Sequence, residues 1–396
     1  MKRTQSQMLS GIEKLPEEDD KYLCVVFNYT TGGCSHSLHR IRVADLKSCS
    51  SRAGHGEGKP KKLPKPFLQL HCSQFPNYMG FFSVGSKIYM VGGGVITPGL
   101  KDIASQRCYV FDTFDNPFDR IRDVPPMNYE KLQPIVLGPL NGKFYVLDRT
   151  LASSYLEEFD PETESWTPLP LPPIDPIGAS VECSEAKFDD YEVLSYAIVG
   201  DQILFSTHKG IYAVNVFSKE WEHRSSLGGE IKFPFCEQSV FMDGFWYAFP
   251  SPFPSPVAAF SFDWDKGFRE CQELGVTHPS LLVGYEPSEV MVPMGKRTLL
   301  VAHAGFPHQI PSNYYLTFDM CRFTCKSSGK TRHPKVSRPY STTYIMRGGL
   351  HECLGLSACL FMQVSLISQL LFCALVWTLE LSTCAYLGTL DMSIDL

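Results

Sequence analysis

KFYVLDRTLASSYLEEFDPETESWTPL, residues 143–169, is the stretch from which the fold is read. It opens with an aromatic-aliphatic run, Lys143–Asp148, of residue types that suit a pleated, half-buried surface. A second run, Tyr155–Asp160, ends at Asp160-Pro161-Glu162-Thr163. That tetrapeptide predicts a turn, because proline presets φ and the aspartate side chain bonds the next stretch of backbone. Trp166 then begins a third strand, and Leu169-Pro170 closes the unit. Ile135–Leu137, just upstream, supplies a fourth strand.

The same plan recurs along the chain. Six apolar runs begin at positions 22, 87, 143, 202, 245 and 298, each succeeded by a second run ending in an acidic turn or a tryptophan. A period near fifty residues with several strands per unit signals a propeller. Phe81–Val84, Lys87–Gly93, Gln106–Asp112 and Asp119–Val124 make one complete unit. The unit around Tyr22–Phe27 lacks an innermost strand. The leftover run Ser341–Met346 (STTYIM) is expected to pair with it and close the ring, since closure removes exposed sheet edges.

The chain of 396 residues is 44% hydrophobic and 20% charged, which fits a globular protein with a large core. Its net charge of −6 argues against nonspecific nucleic-acid binding, which needs a basic face. The 14 cysteines are scattered, and no signal peptide opens the sequence, so they read as buried thiols of a cytoplasmic or nuclear protein. Residues 1–20 read as a disordered acidic lead, too short for an added docking domain such as an F-box. Residues 21–347 form the propeller, with a flexible basic loop at 47–65, and 348–396 a hydrophobic tail.

These units resemble the kelch repeat. Lys87–Gly93, ending in Gly92-Gly93, and Tyr109–Asp112 resemble its first half. Phe159–Trp166 with Leu169-Pro170 resembles its second. The repeat positions carried over are Gly92, Gly93, Tyr109, Asp112, Asp160, Trp166 and Trp221, and both tryptophans are expected to pack between blades. The acidic lead, Lys21–Val26, Ile41–Leu46 and Phe82–Tyr89 are together similar to a plant family, expanded in grasses, of kelch-like proteins. That family is known as domain of unknown function 1668. The resemblance implies an all-β, six-bladed kelch-like propeller and no established activity. The tail beyond Arg347 departs from it, and is expected to be a hydrophobic, helical appendage.

Cys353–Leu379 carries no charged residue, long enough for a membrane-spanning helix at about 20 residues. Lys and Arg lie upstream of it and none downstream, as a tail anchor with a cytosolic propeller requires. A segment packed on the propeller and an aberrant extension are the competing readings.

No catalytic constellation stands out. Cys34, His36 and His39 have metal-ligand chemistry but are joined by no second ligand pair, so no zinc site is expected. Cys321 and Cys325 read as core, and nothing anchors His303 and His308 to a metal. A copper-radical oxidase on this fold needs tyrosines, histidines and a cysteine converging at the axis, and no local signature presents it. No cofactor is implied. Met90, Met127 and Phe253, the last between prolines in Pro250–Pro256, are the candidates for partner contact. The function expected is a non-enzymatic scaffold for protein partners. The alternatives are a metal- or small-molecule-dependent enzyme at the axis and a degenerate copy without retained function.

Overall fold

The computed structural model describes residues 21–29, 33–47, 60–95, 102–113, 121–151, 155–174, 189–224, 232–242, 244–251, 256–263, 265, 267–276, 288–295, 297–305, 313–328, 331–347 and 353–363. They form six antiparallel four-stranded blades. From the inner strand outward, blade 1 is Cys353–Gln363, Lys21–Tyr29, Cys34–Arg42 and Leu68–His71. Blade 2 is Gly80–Val84, Lys87–Val91, Cys108–Asp112 and Ile121–Val124. Blade 3 is Pro134–Leu140, Lys143–Asp148, Glu157–Asp160 and Ser165–Pro168. Blade 4 is Ser195–Val199, Gln202–Ser206, Ile211–Asn215 and Trp221–Arg224. Blade 5 is Phe235–Met242, Phe245–Pro250, Val257–Asp263 and Gly267–Val276. Blade 6 is Ser288–Pro293, Thr298–Gly305, Asn313–Ser328 and Thr331–Arg347. The chain is thus an all-β, six-bladed propeller, as the repeat pattern predicts.

The ring closes on a different strand from the one expected. Ser341–Met346 belongs to the outermost strand of blade 6, with Ser341 opposite Asp319 and Met346 opposite Tyr314. Cys353–Gln363 pairs instead with Lys21–Tyr29, from Lys21 opposite Gln363 to Tyr29 opposite Cys353. The physical reason lies in burial. Leu23, Cys24, Val25, Val26 and Phe27 are all fully buried, so this strand is covered on both faces. A strand beside it in such surroundings is favoured by a mainly apolar, uncharged run, which CLGLSACLFMQ is, whereas STTYIM opens on three hydroxyl residues.

The helical expectation for the apolar tail is corrected over the same residues, because 353–363 are strand. The remainder of the apolar run, Val364–Leu379, is 16 uncharged residues, short of the roughly 20 a spanning helix takes. It lies outside the described residues, among which no helix is long and apolar enough to cross a membrane. The basic loop is tied at its end. Lys61 and Lys62 pair in parallel with Tyr344 and Ile345 of blade 6, and Leu63 N–H donates to the Ile345 carbonyl at 3.1 Å.

Packing between neighbouring blades makes the core. Leu23, Val25 and Phe27 of blade 1 meet Leu300, Leu316 and Phe318 of blade 6, while Cys24 and Val26 face Ile88 and Met90 of blade 2. Period-2 alternation sends successive side chains to opposite neighbours, so every strand contributes to two interfaces. Three indoles tie consecutive blades together. Trp166 Nε1 donates to the Pro125 carbonyl at 3.0 Å, Trp221 Nε1 to Pro170 at 2.7 Å and Trp246 Nε1 to Ile198 at 3.2 Å. Trp166 is only partly buried, beside Phe159 at 4.7 Å between ring centroids. We therefore expect Trp166→Ala to cost about 2–3 kcal/mol, below the ~3–5 kcal/mol of a fully buried tryptophan. Trp166→Phe should cost only about 1 kcal/mol, the lost hydrogen bond. Urea denaturation of both variants checks this ordering, and equal losses would refute the indole strap.

The antiparallel meander fixes which loops share a face. Turns from first to second strand and from third to fourth lie on one side; those from first to second are short, as at Gly85-Ser86, Asn141-Gly142 and Gly200-Asp201, while the third-to-fourth connection of blade 1, residues 43–67, is the long exception. Connections from second to third strand and from blade to blade lie on the other side. There they run long, as at 92–107, 125–133, 149–156 and 169–194.

Candidate functional site

On the long-loop face, blades 2 to 4 carry a connected set of ordered turns. The set starts at Gly92 and Gly93, whose φ values are +65° and +94°. A Cβ on Gly93 would fall against the Asn77 carbonyl oxygen and 2.9 Å from Pro76, so only glycine fits. From this turn Gly93 N–H donates to the Lys131 carbonyl at 2.9 Å, and Ser105 bridges Lys131 as well. The small hairpin of Gly94–Val95 and Ile103–Ala104 is thereby held beside residues 128–131.

Beneath them lies a fully buried ion pair. Lys131 Nζ donates to Glu157 Oε1 at 3.0 Å, and neither side chain is exposed. Glu157 accepts three further bonds, from Asn128 N–H at 2.7 Å, Asn128 Nδ2 at 2.8 Å and Tyr129 N–H at 2.9 Å. Burial pulls the Lys131 ammonium below its usual range, and Glu157 opposes that shift. Such a saturated carboxylate fixes the backbone of the turn.

Tyr129 stands on that fixed turn. It is 38% exposed and stacks on Tyr155 with ring centroids 3.8 Å apart and planes at 14°. The hydrogen bond to Tyr155 raises the Tyr129 phenol above its ordinary range. Val95 and Ile103 on the adjoining hairpin are 45% and 57% exposed.

The same run of loops reaches the inner strands through Arg149. Its Nε donates to Glu192 Oε1 at 3.2 Å, and its Nη2 pairs with Glu237. Thr150 bridges Glu192, and Ser195 of blade 4 sits opposite Glu237 of blade 5 in a parallel pairing. Glu237 takes φ +54° at an irregularity of the innermost strand of blade 5. Tyr196, whose phenol burial holds above its usual range, lies within reach of both charges. Two half-exposed glutamates thus face one arginine at the inner end of this face.

The positions carried over from the repeat take varied places. Gly92 and Gly93 make the turn that starts the set. Tyr109 is buried against Phe75, with centroids 5.0 Å apart. Asp112 is opposite Lys87 at the end of its strand. Asp160 Oδ1 accepts from Glu162 N–H at 2.9 Å, the expected turn bond. Trp166 and Trp221 form the straps between blades. Phe253 lies outside the described residues. Met90 and Met127, considered for partner contact, are 0% and 2% exposed and belong to the core.

Cys34, His36 and His39 do not converge. His36 and His39, three apart on one strand, point to opposite faces. His36 packs edge-on to Phe81 at 5.0 Å, toward blade 2. His39 lies against Phe27 at 5.4 Å, and its Nδ1 is 2.7 Å from the Pro64 carbonyl. Among the described residues, no group of three His, Cys, Asp or Glu side chains is arranged to hold a metal ion. A buried cluster that sequence reading missed lies in blade 6. There His303 Nδ1 is 2.7 Å from Glu289 Oε1, and its Nε2 is 3.7 Å from Asp319 Oδ2. The signal was register: Glu289 and His303 face each other across adjacent strands.

A family model described as protein of unknown function (DUF1668) matches residues 20–253. Among curated relatives, an F-box/kelch-repeat protein of Arabidopsis thaliana is 26% identical over 157 residues, covering 39% of this chain and 49% of that protein. Two more from the same plant are each 31% identical, over 93 and 108 residues. Those two matches cover 23% and 26% of this chain, and 21% and 28% of the relatives. The chain thus spans about a fifth to a half of the length of these relatives. Among solved structures it is similar to a Bacteroides uniformis protein described as a candidate 6-phosphogluconolactonase. That match has 10% identity and a TM-score of 0.45, covering 87% of this chain and 100% of that one. A fungal alcohol oxidase in complex with copper matches at 11% identity and a TM-score of 0.43, covering 88% and 95%. At these scores neither activity transfers to this chain.

Proposed function

Since the chain belongs to the family described as protein of unknown function (DUF1668), we propose that it is a non-enzymatic scaffold that binds protein partners on the long-loop face of blades 2 to 4. The observation that carries this reading is the Tyr129–Tyr155 stack, displayed on a turn immobilised by buried Glu157. Tyrosines held rigid before binding lose little entropy on association and are enriched among residues that dominate interface energies. The curated relatives are named for F-box and kelch repeats, a combination in keeping with an interaction role.

The charged groups at the inner end of the face support binding over catalysis. A general acid or base needs a proton-transferring group left for substrate. Here both carboxylates engage Arg149. On this reading no cofactor takes part, and the protein works in the cytosol or nucleus.

Site-specific photo-crosslinking tests the proposal. Benzoylphenylalanine at Tyr129 or Tyr155 should yield protein adducts in cells, whereas the same probe at Phe217 should not. Phe217 is 64% exposed on a short turn of the opposite face. Equal adducts at all three positions, or adducts at Phe217 alone, would overturn the choice of face.

A further inference from the structure

We infer that the partner segment read by this face is an extended, basic one, with an arginine or lysine next to an aliphatic residue. This rests on the binding face proposed above and adds the chemistry of its occupant.

The surface is continuous, as its connecting contacts show. The hairpin with exposed Val95 and Ile103 touches the Tyr129 turn through Ser105 and Lys131. Tyr129 stacks on Tyr155, which shares the 149–156 loop with Arg149. Arg149 reaches Glu192 and Glu237. Tyr155 is six positions along the chain from Arg149, so they lie at most about 20 Å apart. A partner segment of some six to eight extended residues covers that length.

Each part of the surface selects for a type of side chain. The hairpin offers aliphatic contact. The stacked tyrosines offer rigid aromatic contact, and the Lys131 ammonium already lies 5.9 Å from the centre of the Tyr129 ring. The charge balance points the same way. Exposed Glu130 is next to Tyr129 in the chain, and Glu192 and Glu237 have side chains 43% and 52% exposed. Arg149 is the cation that answers the last two, which leaves negative charge in excess along the run. Lys131 and Glu157 neutralise each other underneath and add nothing to it. An acidic segment would meet three carboxylates answered by a single arginine. A basic one gains electrostatic steering.

A random peptide library displayed on phage and selected against the full chain tests this. The expected pool is enriched in Arg or Lys beside Leu, Ile or Val. Individual peptides from it should bind at least tenfold more weakly to the Tyr129→Ala/Tyr155→Ala variant and to Glu192→Gln/Glu237→Gln. Their affinity should fall as salt rises. Phe217→Ala should leave binding unchanged. Matching thermal melts of all variants would show that the fold is intact. A pool that is neutral or acidic, yet still loses affinity on the tyrosine variant, overturns the basic partner and leaves the binding face standing. A pool indifferent to the tyrosine variant, or no enrichment over bare matrix, overturns both.

Discussion

Lys131→Met is expected to lose about 3–5 kcal/mol of folding stability, the cost of stranding a buried charge by removing its partner. Glu157 has no exposed surface and accepts from Lys131 and from three donors at Asn128 and Tyr129. Without Lys131 the carboxylate keeps its neutral donors and loses its counter-ion in an interior of low dielectric. Glu157→Gln should also be costly, since it unpairs the ammonium and replaces an acceptor oxygen with a donor amide facing other donors. The double variant Lys131→Met/Glu157→Gln should lose less than the two single losses added, because neither charge remains to be stranded. Urea denaturation at neutral pH measures all three. A Lys131→Met loss under about 1 kcal/mol would show that the carboxylate finds water or another cation, contrary to its burial. The variant also separates the ion pair from the recognition it supports. It should loosen the Tyr129 turn before the ring of blades, so crosslinking at position 129 should weaken at temperatures where the fold remains intact.

Sequence alone revealed the ring but not the working face, for a physical reason. Strands such as Lys143–Asp148 and Phe245–Pro250 are buried on both sides, so their apolar runs stand out from the turns that bound them. Trp166 and Trp221 recur at one place in the unit because each strap needs an indole N–H at the same carbonyl. The closing strand was misread because a continuous apolar run looks alike in a doubly buried strand and in a helix. Length did not separate the two, since Cys353–Leu379 runs on past the end of the strand at Gln363. The face built around Tyr129, Arg149, Glu192 and Glu237 sits on loops of unequal length, where no period marks a residue. One clue was present. Glu157 and Glu158 are adjacent in a strand, so they must face opposite sides, and a buried carboxylate then requires a cation, which the connection from blade 2 to blade 3 supplies as Lys131. His36 and His39 show the converse. They are close in sequence and have ligand chemistry, but no zinc site is expected for want of a second ligand pair, and strand alternation parts them.

Removing the closing strand is the second change expected to have a large effect. A chain ending at Arg347 keeps the four strands of blade 6 but strips blade 1 of its innermost strand. The exposed edge would be Leu23–Phe27, five residues that are fully buried in the intact ring. A long, flat, apolar edge with unpaired N–H and C=O groups both loses its ladder and recruits other chains. The truncated chain should therefore melt at least about 10 °C lower, a loss of several kcal/mol in a protein of this size. It should also elute as aggregate on size exclusion. A chain ending at Gln363 should melt with the full-length protein and stay monomeric, since it retains the ladder from Lys21 opposite Gln363 to Tyr29 opposite Cys353. The pair of truncations separates two roles of the apolar tail that hydropathy merged. If the chain ending at Arg347 is as stable and monodisperse as the full chain, residues 353–363 do not close the ring. If the chain ending at Gln363 alone leaves the membrane fraction while the full chain remains there, the residues after the closing strand, 364–396, carry a second role in membrane attachment. Should both chains stay out of that fraction, closing the propeller accounts for the apolar character of the tail's first part, and membrane attachment is not its use.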